Sequence, residues 1–155
     1  MNEKKTNVEH AEDVSLVSVL VLIKQGDEFV LQHRDDIPDI ANPGLVAPWG
    51  GAVEGDEDLK DAVVREFIEE TGVTLHTSQV HELAVFTEQG GSPGRYGKEI
   101  TVHTYYAEID PSITVNCYEG QGIVRVKNLD EVPAKLISTL LRQTVEAYIA
   151  KIQDK

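Results

Sequence analysis

The stretch at residues 51–73, GAVEGDEDLKDAVVREFIEETGV, constrains the fold of this chain more than any other part of it. Residues 56–71 predict one helix, because Asp56 can cap the first turn, acidic residues crowd that turn, and Gly72 stands where glycine commonly ends a helix. Apolar residues recur along it at four-residue spacing, at Leu59, Val63 and Phe67. The stretch therefore predicts an amphipathic helix whose apolar side packs on a core.

The opposite side of this helix is acidic. Glu66, Glu69 and Glu70 are three and four residues apart, so their side chains project together. Ala62, one turn earlier, is expected to leave open space beside them. Carboxylates at this spacing repel each other by roughly a few tenths of a kcal/mol. Such a pattern is typical of a solvated acidic face, but it also suits a divalent cation such as Mg²⁺ or Mn²⁺, which binds oxygen ligands.

Residues near these glutamates can reduce the repulsion between their charges or let a ligand approach. Arg65 can offset part of the repulsion through Asp61 or Glu69 on the helix. Glu57, before the helix, is a further possible partner of this guanidinium. The glycine pair at residues 50–51 lacks Cβ atoms, so its backbone can approach a ligand. A simple tight turn that ends the preceding strand is the other interpretation of this pair.

Composition narrows the class of protein. The chain has 155 residues, of which 41% are hydrophobic, and this suits one domain around one core. The net charge of −13 argues against a protein that coats nucleic acid, because phosphate binding needs a positive surface. An acidic protein that binds a polyphosphate has to bring in cations, and a divalent metal is the obvious choice.

The start of the chain and its cysteine content indicate a cytoplasmic protein that is not membrane-bound. Residues 1–12 are polar and predict a flexible tail, followed by a single domain at residues 13–155. The longest apolar run, residues 14–23, is interrupted by two serines and is too short to span a membrane. The single cysteine, Cys117, excludes a disulfide framework within the chain.

Apolar runs separated by turn residues predict a mixed α/β fold. Residues 14–24 are almost continuously apolar, which is typical of a strand covered on both faces, and Gly26-Asp27 predicts a hairpin turn after it. Further strands are predicted at residues 28–33, 45–49, 80–87, 100–109 and 123–127. A second helix is predicted at residues 133–152. These elements predict a mixed β-sheet between α-helices.

Two long loops are candidates for substrate contacts. Residues 35–48 contain three prolines and a glycine. Residues 88–98, EQGGSPGRYGK, predict a glycine-rich hairpin loop. Its Arg95, Tyr96 and Lys98 could close over a substrate, although a solvated hairpin tip is the interpretation that we favour.

The fixed positions of residues 51–73 follow the pattern G-x5-E-x7-R-E-U-x-E-E-x-G-U, where U is a bulky apolar residue, here Phe67 and Val73. This pattern resembles the signature of the Nudix (MutT-like) pyrophosphohydrolases. Weaker similarity extends over LQHRDDIPDIANPGLVAPWGGAVEGDED and the later YEGQGIVRV. The resemblance implies the Nudix fold, in which a mixed β-sheet is sandwiched between α-helices and the motif forms a loop–helix–loop.

The resemblance also implies roles for the motif residues. In Nudix enzymes, water attacks a phosphorus atom of a nucleoside diphosphate that is linked to another moiety, with the help of divalent metal. Glu66 and Glu70 then correspond to the main metal ligands, and Glu69 to a metal ligand or the general base. The Gly50 carbonyl corresponds to a further metal ligand, and Arg65 to the group that orients the carboxylates. The structural positions of the motif are Gly51, Glu57 and Gly72.

In some members of the family the base comes from outside the motif. The acidic residues that could supply it here are Glu88, Glu99 and Glu119, and the sequence does not rank them.

Three residues before the motif are candidates for substrate binding. Arg34, which ends the second strand, either holds phosphate through bidentate hydrogen bonds or pairs on the surface with Asp35 or Asp36. Trp49 stands where many members have proline, and it is either an aromatic of the core or rim or a surface on which a base stacks. Gly51 allows close approach of the substrate to the backbone.

The function that we favour is a metal-dependent pyrophosphohydrolase of a small nucleotide, with a slight preference for nucleoside diphosphate sugars such as ADP-ribose or a GDP-sugar. A nucleoside triphosphate pyrophosphatase for oxidised nucleotides is the alternative. A non-catalytic nucleotide-sensing domain belongs to another class, which the presence of Glu66, Glu69 and Glu70 disfavours. The expected partners are the nucleotide and, in the sugar class, a second copy of the chain as a homodimer, without nucleic acid or membrane.

Overall fold

The computed structural model describes residues 16–154, and the apolar strand Val17–Gln25 (β1) lies in the middle of its mixed seven-stranded sheet. The other elements are β2 (Glu28–His33), β3 (Val46–Ala47), β4 (Trp49–Ala52), α1 (Leu59–Thr71), β5 (His81–Gln89), β6 (Glu99–Ile109), β7 (Gly122–Val126) and α2 (Thr139–Gln153). The predicted tail at residues 1–12 lies outside the described range. No helix between residues 16 and 154 is long and apolar enough to cross a membrane.

The sheet is built outward from β1. The strand order is β3-β2-β1-β6-β5, with β4 paired to β1 and β7 paired to β2. β1 and β6 run parallel from Val17↔Thr101 to Gln25↔Ile109, whereas the other strand pairs are antiparallel. Residues 18–21 of β1 pair with β4, and residues 23–25 pair with β2. The predicted mixed sheet and the predicted β1–β2 hairpin are confirmed.

Both faces of the sheet are covered, which explains the nearly continuous apolar sequence of β1. Side chains alternate between the faces, so the neighbours Tyr105 and Tyr106 belong to different clusters of the core. The cluster under α1 includes Val21, Trp49, Phe67 and Tyr105, and the cluster under α2 includes Leu22, Tyr106, Leu141 and Tyr148. The predicted arrangement of a sheet between two helices is therefore confirmed.

Helix α1 begins later than the sequence predicted. Its N-cap is Asp58, whose Oδ1 accepts hydrogen bonds from the Lys60 and Asp61 amides at 2.9 and 3.4 Å, so the prediction of Asp56 as the cap was wrong. The expected open space at Ala62 was wrong as well. Ala62 is fully buried in the core, because the helix lies directly against the sheet at this turn.

The glycine pair does not end a strand, as one interpretation expected, but lies inside β4. Gly50 and Gly51 pair with Leu20 and Val19 of β1. Gly50 has a φ of 149°, and a Cβ atom there would stand 2.0 Å from the Val19 carbonyl oxygen. Because only glycine permits this backbone conformation and this approach, the pair allows β4 to join the sheet.

The predicted second helix at residues 133–152 is divided. Ala134–Leu136 form a short 3-10 turn, and α2 begins at Thr139. The Ser138 hydroxyl accepts a hydrogen bond from the Leu141 amide at 3.1 Å and caps the helix. Because Ser138 has an extended backbone, the helix cannot continue back through it.

Trp49 is a residue of the core and does not line a substrate site. Its side chain is fully buried, and its indole nitrogen donates a hydrogen bond to the Val30 carbonyl oxygen at 2.9 Å. Its ring meets Phe67 edge to face, with 5.9 Å between centroids. The substrate-binding interpretation of Trp49 was therefore wrong, and the tryptophan instead joins β4 to β2 and α1.

We expect Trp49→Phe to lower the free energy of unfolding by about 2–3 kcal/mol, because it removes the indole donor and leaves a small cavity beside Phe67. Urea unfolding at neutral pH measures this change. Tyr96→Phe, which alters an exposed ring, is the control and should change the stability by less than about 0.5 kcal/mol. Equal stability of Trp49→Phe and wild type would contradict this account of the core.

Candidate active site

The carboxylates of α1 lie against the backbone of β4. The Gly50 amide donates a hydrogen bond to Glu70 Oε1 at 2.9 Å. At Gly51, an added Cβ atom would stand 2.6 Å from Glu66 Oε1, so the absence of a side chain makes room for that carboxylate. The fold thus brings together Gly50, Gly51, Glu66 and Glu70, which the sequence had singled out.

Glu70 is a buried acid with little compensating charge. Only 2% of it is exposed, and removal from water raises its pKa to about 8. The nearby Glu66 charge adds to the rise, and the Gly50 amide opposes it. None of the salt bridges found between residues 16 and 154 involves Glu70. The ionised form of this carboxyl therefore requires more positive charge than these residues supply.

The negative charge of Glu66 is also only partly compensated by positive charge. Burial raises its pKa, whereas the Arg65 guanidinium, with Nη1 3.0 Å from Glu66 Oε1, lowers it. The charges of Glu69 and Glu119 raise it further. Two carboxylates that face the same backbone segment, with one guanidinium beside only one of them, are suited to bind a cation.

Arg65 ties α1 to the segment that precedes it. Its Nη2 and Nε donate hydrogen bonds to Glu57 Oε1 at 2.6 Å and Glu57 Oε2 at 3.1 Å, and Nη2 also donates to the Ala52 carbonyl at 3.0 Å. The hydrogen bond from Arg65 lowers the pKa of Glu57, and Glu57 raises that of Arg65. The predicted contact between Arg65 and Glu57 is confirmed.

Glu69 does not join Glu66 and Glu70 in this structure. Its side chain is 52% exposed, and its Oε2 lies 3.5 Å from Arg65 Nη1. In the part of the chain that the structure describes, no three His, Cys, Asp or Glu side chains are already arranged to hold a metal ion. A ligand set that includes Glu69 therefore requires another rotamer of this side chain.

Gly72 ends the helix, as predicted. It has a φ of 76°, which favours glycine, and its amide donates to the Ile68 carbonyl at 2.8 Å. The Tyr118 ring lies over it, 3.1 Å from where a Cβ atom would be. The Tyr118 amide donates to the Glu70 carbonyl at 2.9 Å, so this segment is attached to the C-terminal turn of α1.

Two cavities lie near the backbone segments that contact these glutamates. The first cavity has a volume of about 270 Å³, and its lining includes Arg34, Gly50, Gly51, Glu88, Arg95 and Leu140. The second cavity has a volume of about 370 Å³, and its lining includes Gln32, Arg34, Tyr118 and Glu119. Arg34 lines both cavities, which therefore adjoin at its side chain.

Arg34 is held in place by the loop that follows β2. Its Nε donates to the Ala41 carbonyl at 2.7 Å, and its Nη1 donates to Gln32 Oε1 at 3.2 Å. Salt bridges with Asp35 or Asp36, the surface alternative, are absent among residues 16–154. This geometry leaves the guanidinium on the walls of the two cavities.

The three candidates for a base outside the motif lie in different places. Glu88 lines the first cavity and Glu119 lines the second. The charge of Glu119 also raises the pKa of both Glu66 and Glu70. Glu99 is exposed at the start of β6 and lines neither cavity. Glu88 and Glu119 therefore remain candidates for the base by position, whereas Glu99 does not.

The position of Arg95 differs from the solvated hairpin tip that the sequence analysis favoured. Tyr96 and Lys98 are exposed, as expected of a solvated hairpin tip. Arg95, however, turns inward, and its Nη1 lies 3.2 Å from the Ser18 hydroxyl of β1. The only sequence signal was a cation in a glycine-rich loop, and the direction of such a side chain is decided by the folded loop.

Comparison with known proteins identifies the family of this chain. The model of the NUDIX domain family matches residues 14–147. The curated protein NAD-capped RNA hydrolase NudC of Stutzerimonas stutzeri (strain A1501) is 30% identical over 136 residues, which are 86% of this chain and 44% of that protein. This chain therefore spans less than half the length of that relative.

Solved structures show the same fold. A MutT NUDIX hydrolase from Burkholderia pseudomallei has a TM-score of 0.69 at 22% identity, covering 84% of this chain and 95% of that chain. The solution structure of the E. coli ORF135 protein has a TM-score of 0.66 at 26% identity, covering 86% and 88%. The match over residues 14–147 shows that this chain belongs to the Nudix family of hydrolases, which act on phosphoanhydride bonds.

Proposed function

We propose that this protein is a divalent-metal-dependent pyrophosphohydrolase that cleaves the phosphoanhydride bond of a nucleoside diphosphate linked to a second moiety, such as a sugar. The observation that carries the proposal is the contact of Glu66 and Glu70 with the glycines of β4. It concentrates negative charge beside the first cavity, which Gly50 and Gly51 line, so that a substrate diphosphate and a cation can meet there.

A divalent cation fits the donor set at this place. Hard ions such as Mg²⁺ and Mn²⁺ prefer carboxylate and carbonyl oxygens, and Nudix hydrolases generally use divalent metal ions. Glu66 and Glu70 would hold the ion, with the Gly50 carbonyl and a turned-in Glu69 as further ligands. When bound, the ion supplies neutralisation of phosphate charge and a lower pKa for the attacking water.

The remaining groups position the reactants. Arg65 and its hydrogen bonds to Glu57 keep α1 and its carboxylates in register with β4. Arg34 binds a phosphate through its guanidinium from the wall shared by the two cavities. Glu69 takes the proton from the attacking water where it is not a metal ligand, and Glu119 and Glu88 are the alternatives for this role.

The presence of two cavities that adjoin at Arg34 favours a substrate with two bulky ends. A nucleoside diphosphate sugar places its diphosphate between the nucleoside and the sugar, so each end can occupy one cavity. A nucleoside triphosphate has a bulky group at one end only and would leave one cavity empty. We therefore rank the diphosphate-linked class above the nucleoside triphosphates.

A dinucleotide is a second candidate, because one relative is a hydrolase of NAD-capped RNA. Such a cap also contains a diphosphate between two nucleosides, which agrees with the two cavities. The net charge of −13 opposes the binding of a long RNA chain, since many phosphates would need cations. A free dinucleotide is therefore a better candidate than a capped RNA.

We expect nucleoside diphosphate sugars and dinucleotides to be cleaved with higher kcat/KM than nucleoside triphosphates in a screen with Mg²⁺ or Mn²⁺. Glu70→Gln should lower kcat/KM by about a hundredfold or more, because it removes a charged metal ligand. Glu146→Gln, on the exposed side of α2, is the matched control and should retain the wild-type rate. Phosphate release after phosphatase coupling measures the rates.

Two outcomes would count against this proposal. A chelator that leaves the activity unchanged would exclude the metal. Nucleotide binding without cleavage, equal in wild type and Glu70→Gln, would instead indicate a nucleotide-sensing domain.

The two glycines provide variants with different expected defects. In Gly51→Ala the new methyl group meets the flexible Glu66 carboxylate, so we expect a folded protein with activity reduced roughly 10- to 100-fold. In Gly50→Ala it meets the Val19 backbone, so we expect a loss of stability of about 2 kcal/mol or more. Thermal unfolding and rate measurements separate the two. Full activity of Gly51→Ala would contradict the placement of Glu66.

The stability of the metal-free protein should fall as pH rises from about 5 to 8. Glu70 has a pKa of about 8 when folded, above the ordinary value of 4.5, so the folded state holds the extra proton across this window. Stability that depends on this proton is lost as pH approaches the folded pKa, by on the order of a few kcal/mol.

Urea unfolding in EDTA across this pH range measures the effect. Glu70→Gln should make the slope shallower, whereas Glu69→Gln, at an exposed side chain, should not. Added Mn²⁺ should also reduce the slope, because a bound cation favours the ionised carboxylate. A flat profile for the metal-free wild type would show that Glu70 is not a buried, destabilised acid.

A further inference from the structure

The lining of the first cavity includes a carboxylate and a guanidinium, Glu88 and Arg95, in addition to the β4 glycines. The lining is also partly apolar, with Leu20, Val102 and Leu140. An apolar surface with a few convergent polar groups is typical of a site for a flat organic ring. None of these side chains has a role in the proposed chemistry except Glu88, which is an alternative for the base.

Arg95 is directed into the cavity by the fold of its loop. The loop between β5 and β6 is closed by backbone hydrogen bonds from Arg95 to Ser92, from Lys98 to Arg95 and from Gly90 to Lys98, at 2.8 to 3.0 Å. The Arg95 carbonyl lies over Gly90, 2.0 Å from where a Cβ atom would be. The guanidinium then reaches Ser18 on β1, whose side chain is buried.

Glu88 faces the same space from β5. It lies near the end of the strand, where it pairs with the buried Ile100 of β6. Burial raises the pKa of Glu88, and the charges of Arg95 and, more weakly, Arg34 lower it. Burial likewise lowers the pKa of Arg95, and Glu88 opposes that change. The two groups therefore sense each other's charge inside the cavity and are withdrawn from bulk water.

We propose that Glu88 and Arg95 form the base-recognition wall of the first cavity and that the substrate nucleoside is a guanosine. Guanine presents two acceptors, O6 and N7, side by side, which match the fork of a guanidinium. It also presents two donors, N1–H and N2–H₂, side by side, which match a carboxylate. This inference rests on the proposed function for the phosphate chemistry of the same site.

The other bases do not offer this combination. On adenine, the amino group at C6 is a donor that stands beside the acceptors N7 and N1, so each edge mixes the two kinds of group. Uracil has one donor, N3–H, between two carbonyl oxygens, and cytosine has one donor group, the amino group at C4, so neither presents two adjacent donor groups to a carboxylate. A carboxylate and a guanidinium together can therefore make paired hydrogen bonds with guanine alone.

The test compares GDP-glucose with ADP-glucose, which differ only in the base. We expect wild type to cleave GDP-glucose with kcat/KM higher by about tenfold or more, the effect of one charge-assisted hydrogen bond. Glu88→Gln should move this ratio toward one, mainly through a higher KM for GDP-glucose. Glu99→Gln, an exposed glutamate on the adjacent strand, is the matched control and should keep the wild-type ratio.

Arg95→Met gives a second, independent variant, which should also lower the ratio. Equal kcat/KM for the two substrates in wild type would overturn the inference while leaving the proposed function intact. A Glu88→Gln enzyme whose kcat falls equally for both substrates, with the ratio unchanged, would also overturn it, since Glu88 would then act as a base or a structural group.

Binding experiments separate a failure of the inference from a failure of the proposed function. If neither sugar nucleotide is cleaved, calorimetry compares the affinity of the protein for GMP with its affinity for AMP. Tighter binding of GMP that is lost in Glu88→Gln would support the inference although the proposed hydrolysis fails. Equal binding of GMP and AMP, or binding of neither, would overturn it.

Discussion

The close approach of the α1 carboxylates to the backbone of β4 is the contact on which the rest of the site depends. It requires two residues without Cβ atoms, because one of them sits against β1 and the other against Glu66. It also requires a fixed position for β4, which Trp49 supplies by binding Val30 on β2 and packing on Phe67 of α1. Core packing thus determines where the acidic groups stand.

The distribution of charge around this contact explains the need for a cation. α1 carries several carboxylates, but Arg65, the guanidinium beside them, is occupied by Glu57, Ala52 and Glu66. Arg65 therefore holds α1 to the segment that precedes it and does not neutralise Glu70, which is the more deeply buried acid. Glu70 is therefore left short of positive charge, which suits the binding of a metal ion and a polyphosphate.

Much of the fold and part of the site could be predicted because the relevant signals are local. The periodicity of residues 59–71 and the spacing of Glu66 and Glu70 depend on helix geometry alone. The cap was misplaced because Asp56 and Asp58 are chemically equivalent, and only the chain path selects between them. Trp49 and Arg95 were misjudged because the direction of each side chain depends on strands distant in sequence.

The sequence by itself determined the family, the helix with its acidic face, the glycine pair and the mixed sheet between helices. These features follow from residue type and spacing, which act over a few residues. The tertiary structure decided which acids are buried, that Trp49 is a core residue, and that Arg34, Glu88 and Arg95 share a cavity. Burial and electrostatic environment depend on contacts between distant segments, and spacing along the chain does not encode those contacts.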